Sequence, residues 1–126
     1  MGTPLSKKLQ IKAGVTLHVV NVPHNLKEIL IKDLEPTPVD FSGLEKPEAI
    51  LIFVQNRQQV EEKIKQIMSV LKSVSLIWLA YPKGTSGVET DINRDILWKM
   101  MASYGYKPAR MIAINEIWSG MRFSKI

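Results

Sequence analysis

The chain has 126 residues, with 17 Lys and Arg against 12 Asp and Glu, giving a net charge of +5 at pH 7. This length fits a single domain over residues 1–126, and 45% hydrophobic against 23% charged residues is typical of a globular chain. The absence of cysteine excludes a disulfide framework, a thiolate metal site and a cysteine nucleophile. With only two histidines, we expect no metal site.

The positive charges are scattered, and only Lys7 and Lys8 are adjacent. Nucleic-acid binders concentrate basic residues on one stripe, often with aromatic residues between them, so we do not expect nucleic-acid binding. The longest apolar runs, Ala49–Val54 and Leu76–Tyr81, are six residues each, against the roughly 20 that a membrane span needs. Met1–Gln10 lacks the apolar stretch of a secretion signal. We therefore expect a cytoplasmic protein.

The first half of the chain begins with a predicted strand at Val15–Val20, whose continuous apolar character is typical of a strand covered on both faces. Asn25 followed by Glu28 resembles a capping box and predicts a short helix through about residue 34. Residues 35–48 contain three prolines, so they predict a surface connection, with a short extended piece at Val39–Phe41.

The central part of the chain predicts a strand, a long helix and another strand. Ala49–Val54 is the second apolar strand, and Asn56 with Gln59 three positions later predicts the start of a helix. Ser75–Tyr81 is the third strand. The apolar residues between them recur at helical spacing and form one stripe: Val60, Ile64, Ile67 and Leu71.

A third helix follows the loop at residues 82–87, with Thr90 or Asp91 as its cap and Gly105 in the C′ position. Met111–Asn115 and Met121–Lys125 are the fourth and fifth predicted strands. The connection of about five residues between them is too short for a parallel crossover and implies an antiparallel pair. The apolar stripe of the third helix is Ile92, Ile96, Met100 and Tyr104.

The resulting order, β-α-β-α-β-α-β-β, predicts an α/β fold. We expect a three-layer Rossmann-like sandwich around a mainly parallel sheet of about five strands. Only the C-terminal strand should be antiparallel to its neighbours, either at one edge or inserted into the sheet.

Ligands of such open sheets bind outside the carboxyl ends of the parallel strands, where helix N-termini and loop amides converge. A lysine, hydroxyl groups and nearby glycines at one of these ends are the residue types that an anion needs. The order of lysine and glycines differs from that of a Walker P-loop. The candidate ligand-binding residues at this edge and in the terminal connection are Asn21, His24, Lys83, Thr85, Ser86, Asp91, Arg94, Glu116, Trp118, Ser119 and Arg122.

Structural explanations exist for several of these residues. The glycines around Lys83 could form only a turn, and Asp91 could be a helix cap rather than a catalytic acid. His18, in the middle of an apolar strand, is expected to be a satisfied core histidine, whereas His24 could belong to a loop or to a pocket wall. Trp118 fits packing, although its place in a tight connection also suits a site.

Several separated motifs resemble the bacterial domain-of-unknown-function family numbered 3052. They are Ile11–Gly14, Tyr81–Lys83, Thr85–Gly87, Asp91–Asp95 and Glu116–Phe123, and the likeness covers nearly the whole chain. The resemblance implies a small bacterial cytoplasmic domain and no assigned activity.

The layout also resembles a pared-down class I methyltransferase, with a parallel sheet that ends in an antiparallel hairpin. The loop after the first strand reads Asn-Val-Pro-His at residues 21–24, where such enzymes have a glycine-rich turn against the cofactor. We therefore predict no cofactor and expect that S-adenosylmethionine does not bind in the usual position.

Three functions are compatible with these residues. The first is a non-catalytic binding or regulatory domain for an anionic small molecule or an acidic partner segment, with Lys83, Arg94 and Arg122 on one face and Trp118 close by. The second is a small enzyme with Asp91 or Glu116 as acid or base and Lys83 as electrostatic stabiliser. The third is a structural homo-oligomer, anchored by Trp118 and Phe123. If Asp91 and Glu116 face the three cations, a salt-bridged structural corner replaces the binding cleft.

Overall fold

A computed structural model describes residues 4–41, 47–84 and 86–126, which form a six-stranded sheet between two layers of helices. A short 3₁₀ turn at His24–Leu26 leads into the second helix. The helices are α1 (Leu5–Lys8), α2 (Lys27–Leu34), α3 (Arg57–Leu71) and α4 (Arg94–Ala102). The strands are β1 (Leu17–Val20), β2 (Val39–Asp40), β3 (Ala49–Phe53), β4 (Leu76–Pro82), β5 (Tyr106–Ala113) and β6 (Trp118–Lys125).

The strand order is β2-β1-β3-β4-β6-β5, and the first four strands in this order pair in parallel. β6 lies between β4 and β5 and is antiparallel to both. The prediction of a mainly parallel Rossmann-like sheet with one antiparallel C-terminal strand is therefore confirmed, and that strand is inserted in the sheet. The order reverses direction between β1 and β3, which is the switch point where open α/β sheets form a crevice.

The two faces of the sheet bury separate apolar clusters. α3 and α4 cover one face, and every residue of the predicted α3 stripe is buried there. α1 and α2 cover the other face, over the large side chains of Phe53, Trp78 and Trp118. Every residue of β3 and β4 is buried, which explains the continuous apolar runs in the sequence.

The sheet has one more strand than predicted, because Val39–Asp40 pairs in parallel with β1 as a short edge strand. The helix α1 was not predicted, because its four residues are too few to show a periodic pattern. β5 starts at Tyr106 rather than near 111 and includes Pro108, which an edge strand tolerates. The connection from β5 to β6 is correspondingly shifted to residues 114–117.

Two of the predicted helix starts are wrong. Asn25 lies inside the 3₁₀ turn, and Leu26 precedes α2 without a side-chain cap. Asn93, rather than Thr90 or Asp91, caps α4 by accepting a hydrogen bond from the Ile96 amide at 2.9 Å. The predicted cap of α3 is confirmed, since the Asn56 side chain accepts a hydrogen bond from the Gln59 amide at 2.9 Å.

The predicted end of α4 also differs from the structure. α4 stops at Ala102, and Gly105 follows in a turn with φ of +92°, a conformation that favours glycine. Gly105 therefore still ends the helical segment, although it stands beyond the C′ position.

Candidate functional site

A cleft of about 390 Å³ lies at the carboxyl end of β4, where that strand meets the start of α4 and the inserted strand β6. We call it the Lys83 cleft. It opens on the face of the sheet that α3 and α4 cover, because Tyr81 on β4 and Ser119 on β6 are opposite each other in the register. Its lining residues are Tyr81, Pro82, Lys83, Gly84, Asn93, Arg94, Asp95, Met111 and Ser119.

The floor of the Lys83 cleft carries two hydroxyl groups. Burial raises the pKa of the Tyr81 phenol above its ordinary value, while Arg94 and a hydrogen bond with the Ser119 side chain oppose this effect. The phenol is therefore neutral at pH 7 and offers a hydrogen-bond donor to a ligand.

The rim of the Lys83 cleft carries the charges. Arg94 contacts the neighbouring Asp95 through Nε and Oδ1 at 3.5 Å, and both side chains are mostly exposed, at 63% and 70%. An exposed ion pair of this kind contributes little free energy, so Arg94 can turn to another anion at small cost. Lys83 is held at the backbone, where its amide donates to the Ile117 carbonyl at 2.8 Å.

The hydroxyl of Ser86 makes two hydrogen bonds to the backbone of the segment that follows β4. Ser86 donates through Oγ to the Lys83 carbonyl at 2.7 Å and accepts from the Val88 amide at 3.2 Å. The donor and one of the two acceptor lone pairs of this hydroxyl are therefore used locally, and Ser86 does not line the Lys83 cleft. Thr85, also predicted for the site, lies outside the described residues.

Asp91 is bonded to another helix. Its carboxylate Oδ1 accepts from the backbone amide of Arg57 at 2.8 Å, and its carbonyl accepts from Arg57 Nε at 3.3 Å. The preceding Thr90 donates to the Gln55 carbonyl. The segment before α4 is thus attached to the end of β3 and the start of α3, and Asp91 neither caps α4 nor lines the Lys83 cleft.

Asn21 lies at the switch point, in the crevice above the ends of β1 and β3. Its backbone has φ of +60°, and its side-chain amide donates to the Phe53 carbonyl at 2.8 Å and to Gln59 Oε1 at 3.3 Å. The same Gln59 oxygen accepts from the Gln55 amide at 2.7 Å. We use the name β1–β3 crevice for the place formed by the side chains of Asn21 and Gln59, the Phe53 carbonyl and the Gln55 amide. Its polar groups bond to one another.

The remaining predicted residues are not brought to the Lys83 cleft. Arg122 is the cross-strand partner of Trp78, which precedes Tyr81 by three residues on β4. Trp78 and Arg122 lie on the face of the sheet that α1 and α2 cover, opposite the Lys83 cleft. The reason is that β6 is antiparallel, so residues after Ser119 run back towards the amino ends of the parallel strands. Lys83 and Arg122 therefore line different cavities, and the predicted three-cation cleft with Arg122 is wrong.

Trp118 is buried on the opposite face from Ser119, with its ring edge-on to Phe53 at a centroid distance of 5.1 Å. It therefore belongs to the core, as does Phe123, and neither can anchor a subunit contact. Glu116 is exposed in the connection between β5 and β6, His24 is exposed at the start of the 3₁₀ turn, and neither lines the Lys83 cleft. The predicted corner with Asp91 and Glu116 is also wrong, because the carboxylate next to Arg94 is Asp95.

Three polar side chains that line the Lys83 cleft are absent from the predicted ligand-binding residues: Tyr81, Asn93 and Asp95. In the sequence, Tyr81 appears as the last residue of an apolar strand and in the motif Tyr81–Lys83. Its hydroxyl could have been identified as functional, since a tyrosine at the carboxyl end of a buried strand places a polar tip at the ligand-binding edge.

Solved structures share this fold at low sequence identity. A protein of the NADB-Rossmann superfamily from Streptococcus agalactiae is 12% identical, with a TM-score of 0.58 over 99% of this chain and 68% of its own. The ribosomal protein L11 methylase from Lactobacillus delbrueckii subsp. bulgaricus is 9% identical, with a TM-score of 0.54 over 99% and 80% of the two chains. The chain therefore has a Rossmann-like fold of the kind that methyltransferases use.

A structure of LepI in complex with SAM also matches, at 10% identity and a TM-score of 0.52, over 97% of this chain and 39% of that one. No protein-family model matches this chain, and a comparison with curated proteins gives no match either. The resemblance to the family numbered 3052 therefore stays a prediction.

The methyltransferase-like fold raises the question of whether the β1–β3 crevice suits S-adenosylmethionine. In dinucleotide-binding folds of this architecture, glycines after the first strand let the cofactor approach backbone amides. Here Asn21 fills that position and bonds across to β3, and Pro23 has no amide to donate. The residues present do not fit the cofactor in that mode.

Two further features bear on the class of site. Among residues 4–41, 47–84 and 86–126, no group of three or more His, Asp or Glu side chains is placed to hold a metal ion. In the same part of the chain, no helix combines the length and the apolar character that crossing a membrane requires.

Proposed function

We propose that this protein is a non-catalytic binding domain on a methyltransferase-like fold and that it holds a small anionic molecule in the Lys83 cleft. The observation that carries the proposal is the convergence of Lys83 from the loop after β4 and Arg94 from the start of α4 on one cleft. Two cations from separate elements, above a floor of hydroxyl groups, form an arrangement suited to phosphate or carboxylate oxygens.

The electrostatics of the Lys83 cleft favour an anion that replaces Asp95 as the partner of Arg94. The Arg94–Asp95 contact is exposed and 3.5 Å long, so it offers little resistance to a competing anion. Asn93 already caps the Ile96 amide in the first turn of α4, but the helix dipole adds partial positive charge at the same place.

The size of the cleft favours a small molecule over an acidic segment of a protein partner. Its volume of about 390 Å³ falls in the range of small-ligand sites, and a protein partner would need a much larger surface. The alternative of an enzyme based on Asp91 or Glu116 loses its support, because neither carboxylate lines the cleft. Among the described residues, the carboxylate that lines the cleft is Asp95, which is exposed and already in contact with Arg94.

The test is a thermal-shift and calorimetry screen with inorganic phosphate, nucleoside monophosphates, dicarboxylates and S-adenosylmethionine. A ligand at 100 times its Kd should stabilise the fold by about 2.7 kcal/mol. Lys83→Ala and Arg94→Ala should each weaken binding about tenfold, the loss expected for one charge-assisted hydrogen bond. Lys65→Ala, which removes an exposed lysine of α3, is the matched control and should bind normally.

The proposal fails if no anion binds, or if the Lys65→Ala variant loses affinity as much as Lys83→Ala does. Binding of S-adenosylmethionine that a bulky substitution at Asn21 abolishes would contradict it in another way. That result would move the site to the β1–β3 crevice and favour a methyltransferase.

A further inference from the structure

A second cavity, of about 380 Å³, lies at the opposite end of the sheet from the Lys83 cleft. It is bounded by the amino ends of β3 and β4 and by the segment between α1 and β1. We call it the Arg122 cavity. Its lining residues are Gln10, Lys12, Val15, Glu48, Ala49, Ser75, Leu76 and Arg122.

The guanidinium of Arg122 is incompletely paired in this cavity. Its Nη1 donates to Gln10 Oε1 at 2.6 Å, whereas its Nε is buried and has no hydrogen-bond partner among the described residues. A buried donor without a partner costs free energy, and most native donors of this kind have one. The missing hydrogen-bond partner of Arg122 Nε would be an acceptor located in or beside the cavity.

The positive charges around Arg122 favour the binding of an anion. Arg110 on β5 is its direct cross-strand neighbour, and two like charges in this relation repel each other. Lys12 adds a third cation at the cavity wall, and among the described residues Glu48 is the one acidic residue that lines the cavity. Within the described part of the chain, the cations around the cavity therefore outnumber the carboxylates that line it.

The wall that carries the partner of Arg122 is fixed in place. The Trp78 indole donates to the Leu9 carbonyl at 2.9 Å, which holds the residue before Gln10 against the sheet. Gln10 itself has φ of +60°, a backbone conformation that side-chain-bearing residues rarely adopt. Strain of this kind persists where the surrounding structure holds it, and it is frequent at ligand sites.

We propose that the Arg122 cavity binds a small organic carboxylate. The Nε edge of a guanidinium presents two parallel N–H groups, which match the two oxygens of a carboxylate. Lys12 supplies a second positive charge, and Val15, Ala49 and Leu76 supply an apolar wall for a short hydrocarbon part. This combination favours a monocarboxylic acid with a small apolar body over free phosphate, which has no apolar part to bury.

The experiment is an NMR titration of the full chain with butyrate, hexanoate, benzoate and inorganic phosphate. The Trp78 indole, opposite Arg122 in the register, is the reporter, and its signal is assigned from the Trp78→Phe variant. We expect hexanoate or benzoate to shift the Trp78 indole and the amides of Ala49 and Leu76, with phosphate having much less effect.

Arg122→Lys keeps the charge and removes the Nε edge, so it should weaken carboxylate binding at least about tenfold. Arg110→Lys is the matched control, because Arg110 adjoins Arg122 without lining the cavity, and it should change the affinity less than about twofold. The wild-type titration keeps the test valid if Arg122→Lys does not fold.

The proposal is overturned if no carboxylate shifts these signals, if phosphate binds there as well as the carboxylates do, or if the shifts map only to the Lys83 cleft. Equal loss of affinity in the two arginine variants would also overturn it. The Lys83→Ala variant should retain carboxylate binding in the Arg122 cavity, so this result is independent of the function proposed above.

Discussion

The carboxyl edge of the sheet contains two places where a ligand of this fold class could bind, and they differ in how their polar groups are used. In the β1–β3 crevice, Asn21 and Gln59 bond to each other and to the backbone of β3. In the Lys83 cleft, the charged side chains of Arg94 and Asp95 remain mostly exposed and share one weak contact. The polar groups of the β1–β3 crevice therefore bond to one another, whereas the charged groups of the Lys83 cleft are accessible to a ligand.

This difference shows that the fold determines where crevices form, whereas the side chains determine which crevice can accept a ligand. An amide side chain has both donors and acceptors, so Asn21 and Gln59 can bond to each other and to backbone groups at the end of β3 without a ligand. Lys83 and Arg94 are donors only, so apart from the Arg94–Asp95 contact their acceptors can come from water or from a bound anion. The proposed binding site therefore lies away from the switch point, towards β4 and α4.

The largest expected effect separates two adjacent residues of β6 that lie on opposite faces of the sheet. Trp118 is buried and packs against Phe53, so Trp118→Ala should lower the free energy of unfolding by about 3–5 kcal/mol. Ser119 faces the Lys83 cleft, and Ser119→Ala should cost less than about 1 kcal/mol. Urea unfolding of both variants measures this contrast, and equal losses would contradict the assignment of the two faces.

A smaller loss should follow when the β1–β3 crevice is opened. Gln59→Ala removes the acceptor of the Gln55 amide and of the Asn21 side chain, so it should cost about 1–3 kcal/mol. The control is Gln58→Ala on the same turn of α3, where the exposed side chain donates a hydrogen bond to Glu62 on the helix surface, and it should cost less than about 0.5 kcal/mol. Similar losses in the two variants would show that the crevice is not held by Gln59.

The sequence predicts the sheet well because strands that are buried on both faces carry continuous apolar runs, as Ala49–Phe53 and Leu76–Tyr81 do. It predicts α3 because a 15-residue helix shows its stripe several times. β2 has two residues and α1 has four, so neither is long enough to show the periodic pattern that would predict its type and its ends.

The candidate site was predicted only in part, because the rule that selects strand ends does not give the direction of each side chain. Lys83 and Arg94 follow from the rule and line the same cleft. Arg122 was misplaced, because its position depends on where β6 begins, and that strand starts three residues earlier than predicted. The earlier start carries Arg122 further along the strand, away from the Lys83 cleft and towards the other end of the sheet.

The pH dependence of Tyr81 tests whether the floor of the Lys83 cleft is as buried as its geometry indicates. Burial raises the pKa of this phenol from its ordinary value of 10.0. As the pH rises past 10.0, the unfolded chain releases the proton first, so the stabilisation from the neutral phenol is complete below that pH and is lost as the pH rises through the folded pKa.

Ultraviolet titration of phenolate formation, with Tyr81→Phe to identify the signal, measures this shift. Tyr106→Phe is the second variant required, because burial also raises the pKa of Tyr106. A Tyr81 phenol that titrates at or below its ordinary pKa would show a solvated floor and would weaken the comparison with the β1–β3 crevice.

The smallest expected effect is the change in stability on removing the Lys83 side chain. A small change would indicate that the lysine is available to a ligand, and a large one that it is paired with another group of the protein. The Lys83 backbone amide, which bonds to Ile117, is unaffected by a side-chain substitution. Lys83→Ala should therefore change the free energy of unfolding by less than about 0.5 kcal/mol, the usual range for surface positions. A loss of several kcal/mol would mean that the lysine neutralises a buried carboxylate, and the Lys83 cleft would then be a structural ion pair, satisfied by the protein as the β1–β3 crevice is.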